Sequence, residues 1–470
     1  MSRDLFPAAD AAAALERAGL LLNIQGAPEA GGFLGAGLDS RTLAPAELFV
    51  ALAGDQVDGR RFAADVLRAG HWILMAPGEP DLMAGLPTAG PDGGLLLSQD
   101  PVAALARLAR VWRDRFALPV AGVTGTNGKT TTKDLLRAAL SGGGPVHATA
   151  GNLNNHLGLP MTLLGLRSTH AGAVIEMGAS AVGEINFLAG LARPTVGVIT
   201  NAAPAHLAEF GSLDGIIQGK GELLDHLPVD GTAILNSDSP GFVAWRDRAP
   251  CPVVTWGTQN ADHIWSWRAG PSGGRLTLDG DDWPVPLPGR HNGANLAAAL
   301  LAARAMGRTD AEIRAGLNTF SGSDHRGVLL TAGHWTLLDD SYNANPRSMA
   351  VAAAAVADLP GNRKVAAVLG HMAEMGPDSE AHHLAVGGSV ADTGVDVLLA
   401  VGETAAPLAQ GFLNRGKPAH LFADVAAAAD WLLAHAADFD RVLIKGSRSA
   451  AMETILPLLT AGLTRNEDNS

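Results

Sequence analysis

The chain has 470 residues, 47% hydrophobic and 17% charged, and its 34 Lys and Arg against 47 Asp and Glu leave a formal charge of -13. That length exceeds one ordinary core and predicts three domains, while the composition excludes a disordered chain and the acidic balance excludes nucleic acid or an anionic membrane as partners drawn by bulk charge. Cys251 is the only cysteine, which rules out an intramolecular disulfide and a thiolate metal cluster and fits a reducing compartment.

The opening MSRDLFPAAD mixes Arg3 with Asp4 and Asp10 and has no basic segment followed by an apolar run, so it does not read as a secretory signal. No stretch approaches the roughly 18 uninterrupted apolar residues that a membrane helix needs, and a cytoplasmic location is the expectation. From Leu38 onward, short apolar runs alternate with turn-rich text around one helix-like stretch from Arg61 to Ala69, which predicts a small α/β unit over residues 1–105. Apolar residues at helical spacing from Val102 to Phe116 then lead into a second unit, residues 106–320. It begins PVAGVTGTNGKTTTKDLLRAAL, an apolar strand, a Gly-rich turn and a helix, and further strands are expected from Ala173 to Ile175 and from Val196 to Ile199. Alternating strands and helices argue for a parallel sheet with its chemistry at the carboxyl ends of the strands. After the helical text NGANLAAALLAARAMG, the turn-rich SGSDHRG marks the passage to a third unit, residues 321–470. Its strands are expected from Trp335 to Asp339, Val365 to Leu369, Val397 to Val401 and Arg441 to Ile444, between Ala-rich helices. The fold class is therefore α/β in all three units.

The strongest local signal is Gly125-Thr126-Asn127-Gly128-Lys129-Thr130-Thr131, set between a strand and a helix. Such a loop closes backbone N–H groups on phosphate oxygens, Lys129 neutralises the terminal phosphates, and the Thr130 hydroxyl can ligate Mg²⁺ at a helix N-terminus that adds its own partial positive charge. The strict phosphate-loop pattern has Gly where this chain has Val123. Glu176, just beyond one strand, and His206, after the next, stand where they can complete a metal site at the same sheet edge. Taken singly, an acid after a strand is more often a helix cap and a lone His more often structural.

The segments TGTNGKTT, IEMGAS, NAAPAHLAEFGS, IIQGKGELL, GRHNGANLAAA, LLDDSYNANPRSM and LIKGSRSAAME occur in the order of the motifs of Mur ligases, and the resemblance runs from Leu38 to Glu453. It implies an α/β protein of three domains: a small amino-terminal uridine-nucleotide domain, a central P-loop-type mononucleotide-binding parallel sheet and a carboxyl-terminal Rossmann-like domain. DDSYNANP and TAGNLNNHLGLPMTLL resemble most the step that joins D-alanyl-D-alanine to UDP-N-acetylmuramoyl-tripeptide through an acyl phosphate, with ATP and Mg²⁺; a monomer is the expectation, though no motif fixes the oligomeric state. By the same resemblance, residues 125–131 hold the ATP phosphates, and Thr130, Glu176 and His206 serve the metal. Lys220, in QGKGE, is implied to be carboxylated, which turns a cation that would repel Mg²⁺ into an anion with two oxygen donors. Asn292 and Asn295 match adenine contacts, Asp340 a ribose contact, and Arg326 the arginine that reaches ATP on domain closure. Tyr342, Asn343 and Asn345 follow in the family pattern as substrate residues, and Lys445, Ser447 and Arg448 face the cleft. Ser40 and Arg41 match the uridine diphosphate site, with Asn152, Asn154 and Asn155 near sugar and diphosphate.

Two departures from that pattern touch local contacts: His371 stands in place of an acid in LGHMAEMG, and PAELF replaces PGDLF around Ala46. Two rival readings remain at this stage. One is another amide ligase of the superfamily, such as a folylpolyglutamate synthetase, told apart by its amine acceptor. The other is a P-loop switch or motor, which leaves NLNNHLG and DDSYNANP without a purpose.

Overall fold

The computed structural model describes residues 4–468 apart from 55–56, 91, 205–206 and 323. Among these residues the strands form three large sheets, one after another along the chain, and a two-stranded ladder that pairs Phe6–Pro7 with Gly32–Phe33.

The first sheet has five strands in the order Asn23–Gly26, Gly94–Leu97, Trp72–Met75, Glu47–Ala51 and Gly35–Gly37, parallel except at the Asn23–Gly26 edge. WILM and GLLL bury every residue, as expected of inner parallel strands covered on both faces. The helix expected from Arg61 is shorter: a 3-10 turn occupies Gly59–Phe62, because the Asp58 carboxylate accepts from Arg60 N and tightens the entry, and the α-helix is Ala63–Arg68.

Helix Pro101–Arg113 starts at a Pro in its first turn with the Asp100 carboxylate accepting from Ala103 N. It runs through residue 105 and joins the first and second units as a continuous rod. Its buried Trp112 stacks on Phe6 with ring centroids 5.0 Å apart and donates Nε1 to Leu166 O at 3.2 Å, while Arg113 Nε donates to Ala192 O at 2.8 Å. One apolar core thus passes from the first sheet into the second.

The second sheet has nine strands in the order Asp281–Val285, Gly273–Leu278, His263–Gly270, Val253–Gly257, Thr232–Asn236, Val196–Ile199, Val120–Thr124, Gly172–Glu176 and Val146–Ala148. It is parallel from Val146–Ala148 as far as His263–Gly270 and closes in an antiparallel meander. After Val120–Thr124 the chain moves outward to Val146–Ala148, returns beside it at Gly172–Glu176, and crosses to its other side at Val196–Ile199. That reversal opens a crevice at the carboxyl end of Val120–Thr124, the usual place for a ligand in an open α/β sheet. Glu176, expected just past its strand, is the last residue of it and pairs with Val123, because ladder hydrogen bonds are made by backbone and continue under a polar side chain.

The third sheet has six strands in the order Val328–Ala332, Trp335–Asp339, Phe439–Lys445, Lys364–Leu369, Val397–Val401 and Ala419–Phe422, all parallel but the Val328–Ala332 edge. The expected strands lie here, two of them with the bounds read from sequence, one extended by Lys364 and one by Phe439, Asp440 and Lys445. No described helix is long and apolar enough to cross a membrane.

Candidate active site

Strand Val120–Thr124 is buried throughout and hands the chain to Gly125, and helix Lys129–Ser141 begins directly after Gly128. Both glycines are required by their surroundings. Gly125 has φ +142° and a Cβ there would lie 2.0 Å from Thr200 Oγ1, while Gly128 has φ +81° and a Cβ would lie 2.3 Å from Asn295 Oδ1. Thr126 N donates to Asn201 O at 2.9 Å, Asn127 N to Asn201 Oδ1 at 3.2 Å, and Thr200 Oγ1 to Asn127 O at 2.6 Å. The loop is therefore clasped in shape by the segment that follows Val196–Ile199, with the first turn of the helix offering N–H groups that have no partner within the helix. Lys129 Nζ donates to Gly125 O at 2.8 Å and Thr126 O at 2.9 Å, curling over the loop it belongs to. Burial holds its ammonium below the usual lysine range, against the Glu176 charge and with that of Arg326. Thr130 and Thr131 sit half-buried in the same first turn.

Beside this loop, Glu176 is 1% exposed. Its backbone N donates to Thr149 Oγ1 at 2.9 Å and its Oε1 accepts from Asn154 Nδ2 at 2.8 Å, but Oε2 is buried without a hydrogen-bond partner among the described residues. A carboxylate oxygen left so is costly unless a cation meets it, and that is the feature by which the site fits Mg²⁺. Lys220, near the end of helix Leu213–Gly221, is 3% exposed, donates Nζ to Ala179 O at 3.0 Å and lies 5.0 Å from the Phe210 ring centroid. Burial, reinforced by the Lys129 charge, lowers it to about 7, with Glu184 and Glu222 opposing. Lys220 and Lys129 line one small cavity with Gly125, Thr126, Ala179, Phe210 and Ile216. His206 lies outside the described residues. Among the described residues no three His, Cys, Asp or Glu converge as a metal cluster; of the expected ligands Glu176 and His206 are of those types, and only Glu176 is described.

Asn292 and Asn295 share a buried face of helix Arg290–Ala305. Asn292 Nδ2 donates to Pro288 O at 2.8 Å, and its Oδ1 accepts from Asn295 Nδ2 at 3.1 Å. The third unit comes directly onto this region. Asn345 caps helix Pro346–Ala357 through a reciprocal pair with Ser348 and donates Nδ2 to Asn127 Oδ1 of the phosphate loop at 3.0 Å. Arg326 lays its guanidinium 3.7 Å from the Tyr342 ring centroid. Asp340 is ion-paired with the buried Lys445, whose Nζ also donates to Asn343 O at 2.8 Å, while the Asn343 side chain accepts from Ala344 N. Ser447 Oγ lies 3.1 Å from Ser449 Oγ, which also meets His371 Nε2 at 3.0 Å, and Arg448 points to Glu453.

The residues expected around the uridine nucleotide are less assembled. Arg41 is exposed and pairs with its own neighbour Asp39, whose carboxyl it draws down to about 2. Ser40 is half-buried and Asn152 exposed. Asn155 Oδ1 accepts from Gly158 N at 2.9 Å in the turn that enters helix Gly158–Leu164, and Asn154 is committed to Glu176. Sequence reasoning passed over Thr200 and Asn201, which shape the phosphate loop, although both follow directly on Val196–Ile199. It also passed over the His325–Asp339 contact of 2.7 Å, whose partners lie in different motifs.

Comparison with known proteins gives the family and the fold. Residues 123–303 match the model described as Mur ligase middle domain, and residues 325–448 that described as Mur ligase, glutamate ligase domain. The chain is 37% identical over 437 residues to UDP-N-acetylmuramoyl-tripeptide--D-alanyl-D-alanine ligase of Escherichia coli, covering 90% of this chain and 92% of that one. Among solved structures it is similar to MurF from Acinetobacter baumannii at 29% identity and TM-score 0.83, covering 97% and 99% of the two chains. It is also similar to MurF ligase from Thermotoga maritima in complex with ADP, at 26% identity and TM-score 0.77, covering 92% and 98%.

Proposed function

The chain belongs to the Mur ligase family, and from that premise we propose that it joins D-alanyl-D-alanine to UDP-N-acetylmuramoyl-tripeptide at the expense of ATP, the pentapeptide step of peptidoglycan synthesis. The observation that carries the reading is the convergence, at the carboxyl ends of the central strands, of the glycine loop with Lys129, the unpartnered Glu176 Oε2 and the buried Lys220.

A peptide carboxylate resists attack by an amine because oxide would have to leave. The terminal phosphoryl group of ATP is therefore moved onto it first, a step that asks for positioning and charge neutralisation rather than a protein nucleophile. The dipeptide amine then adds to the acyl carbon, and the tetrahedral intermediate expels phosphate. Residues 125–131 hold the phosphates, with Lys129 leaving its own loop carbonyls for them. Thr130, Glu176, His206 and a carboxylated Lys220 would hold Mg²⁺, which neutralises phosphate charge when bound. A lysine lowered to about 7 is about half neutral near pH 7, and the neutral amine is the form that adds to CO₂, forming an N–C bond and releasing a proton. Asn292, Asn295 and Asp340 receive the nucleoside, Arg326 the terminal phosphate, and Tyr342, Asn343 and Asn345 the peptide end. Ser40, Arg41, Asn152, Asn154 and Asn155 line the path of the uridine nucleotide, with Asn154 doing so while it orients Glu176. In this reading residues 1–105 bind the uridine nucleotide, 106–320 bind ATP and 321–470 close over both, in a cytoplasmic monomer.

The test is phosphate release from ATP by the purified chain with UDP-tripeptide, offered D-alanyl-D-alanine, a single amino acid or glutamate. Release that depends on the dipeptide is the expected result. Turnover with glutamate and none with the dipeptide would overturn the assignment.

A further inference from the structure

The passage from the second unit to the third is gripped at one point. His325 has φ +58°, the left-handed region that residues other than glycine enter at a cost. Two contacts hold it there. Its Nδ1 lies 2.7 Å from Asp339 Oδ2, and its carbonyl accepts from Tyr342 N at 3.0 Å. Asp339 is 3% exposed at the end of strand Trp335–Asp339, and its other oxygen accepts from Ser341 Oγ at 2.6 Å and Ser341 N at 3.2 Å. With one oxygen of this buried carboxylate taken by Ser341, the second finds its partner among the described residues in the His325 ring.

The next residue is Arg326. Its guanidinium is laid 3.7 Å from the centroid of the Tyr342 ring, the residue whose N–H grips the His325 carbonyl, and its charge is felt at Lys129 in the phosphate loop. Backbone and side chain of residues 325–326 are thus pinned to residues 339–342. A left-handed turn at His325 sets the direction in which Arg326 leaves the backbone.

We infer that His325 and Asp339 form a clasp that positions Arg326 over the phosphate loop, His325 being a positioning residue that acts through Arg326 and touches no substrate atom. The inference rests on the reading of Arg326 as the arginine that serves the terminal phosphate of ATP. The geometry suggests how to separate ring from backbone. Asn enters the left-handed region readily and carries an N–H donor at the same δ position as His Nδ1, whereas Gly adopts the turn but offers no donor.

The experiment is steady-state kinetics of the full-length R326A, H325G, H325N and H325G/R326A proteins, varying ATP at saturating UDP-tripeptide and dipeptide. R326A is expected to lose about 100-fold or more in kcat, and H325G about tenfold with KM for ATP changed less than about threefold. H325N is expected to recover to within about threefold of the parent, and H325G/R326A to be no slower than R326A alone, as for residues acting as one unit. H325G at parental kcat, H325N as slow as H325G, or additive losses in the double variant would each overturn the clasp. R326A at parental activity would instead remove the assigned role of Arg326, a failure distinct from the other three.

Discussion

The phosphate loop and the Ser40–Arg41 segment are both expected to meet phosphate, yet they are built in opposite ways. Residues 125–131 are held by Thr200, Asn201 and Asn295, and no Cβ could be added at Gly125 or Gly128 without a collision. Arg41 stands in solvent with its own Asp39 as partner. A loop clasped beforehand gives up little freedom when the ligand arrives, and its binding energy can be spent on the transition state. An exposed Arg is ordered by the ligand and contributes to affinity alone. On the proposed function, the chemistry is thus placed where the fold is rigid, and capture of the long substrate where it is adaptable.

That contrast can be broken most directly at Lys129. Lys129→Ala should lower phosphate release by about 10³-fold or more, since a charge preorganised at the transferring group is lost; a loss of only about tenfold would mean that the loop merely binds. Glu176→Gln should cost about 10²-fold in kcat and raise the Mg²⁺ concentration for half-maximal activity. Because it removes a buried, half-satisfied charge, its melting temperature in metal-free buffer should equal or exceed the parent's, and a clear fall would show that Oε2 has a structural partner.

Lys220→Ala should lower activity about 30-fold and recover in part with a short carboxylic acid, and full activity without it would argue against the carbamate. The same lysine sets a pH dependence. Its folded pKa of about 7 lies below the ordinary 10.5, so between those values the unfolded chain binds the extra proton and stability rises with pH. The penalty of the buried ammonium is complete below about pH 7 and gone above 10.5. In CO₂-free buffer Lys220→Met should flatten that rise, as read from denaturant midpoints across the window.

Arg41→Ala, at the adaptable end of the comparison, should raise KM for the UDP-tripeptide about tenfold with kcat and melting temperature unchanged. A drop in kcat would mean that the first unit takes part in closure. The smallest effect is expected nearby: Ala46 has φ +61°, so Ala46→Gly should stabilise by about 0.5 kcal/mol, the strain relieved less the entropy of glycine. Thermal unfolding would show it.

Much of this was legible before any coordinates. Val120–Thr124 reads as a buried strand because five apolar-tolerant residues precede a glycine, and the helix after Gly128 follows from its neighbours alone. Asn154 was less legible. An Asn in an Asn-rich turn carries no sign that its amide will face a carboxylate 22 positions on, and its expected place near sugar and diphosphate gave no hint of that contact. Asn345 shows both sides at once: its role as a cap is written in Asn345-Pro346-Arg347-Ser348, but its bond to Asn127, 218 positions away, is not.

The amino-acid sequence by itself determined the alternation of strands and helices, the glycine turn and the residue types gathered at each strand end, because these depend on spacing and on local backbone preference. The tertiary structure alone decided that Glu176 keeps one oxygen without a partner among the described residues, that Lys220 is dehydrated enough to titrate near neutrality, and that His325 meets Asp339. Burial and long-range pairing are properties of the space between elements, and no local pattern fixes how much water that space excludes.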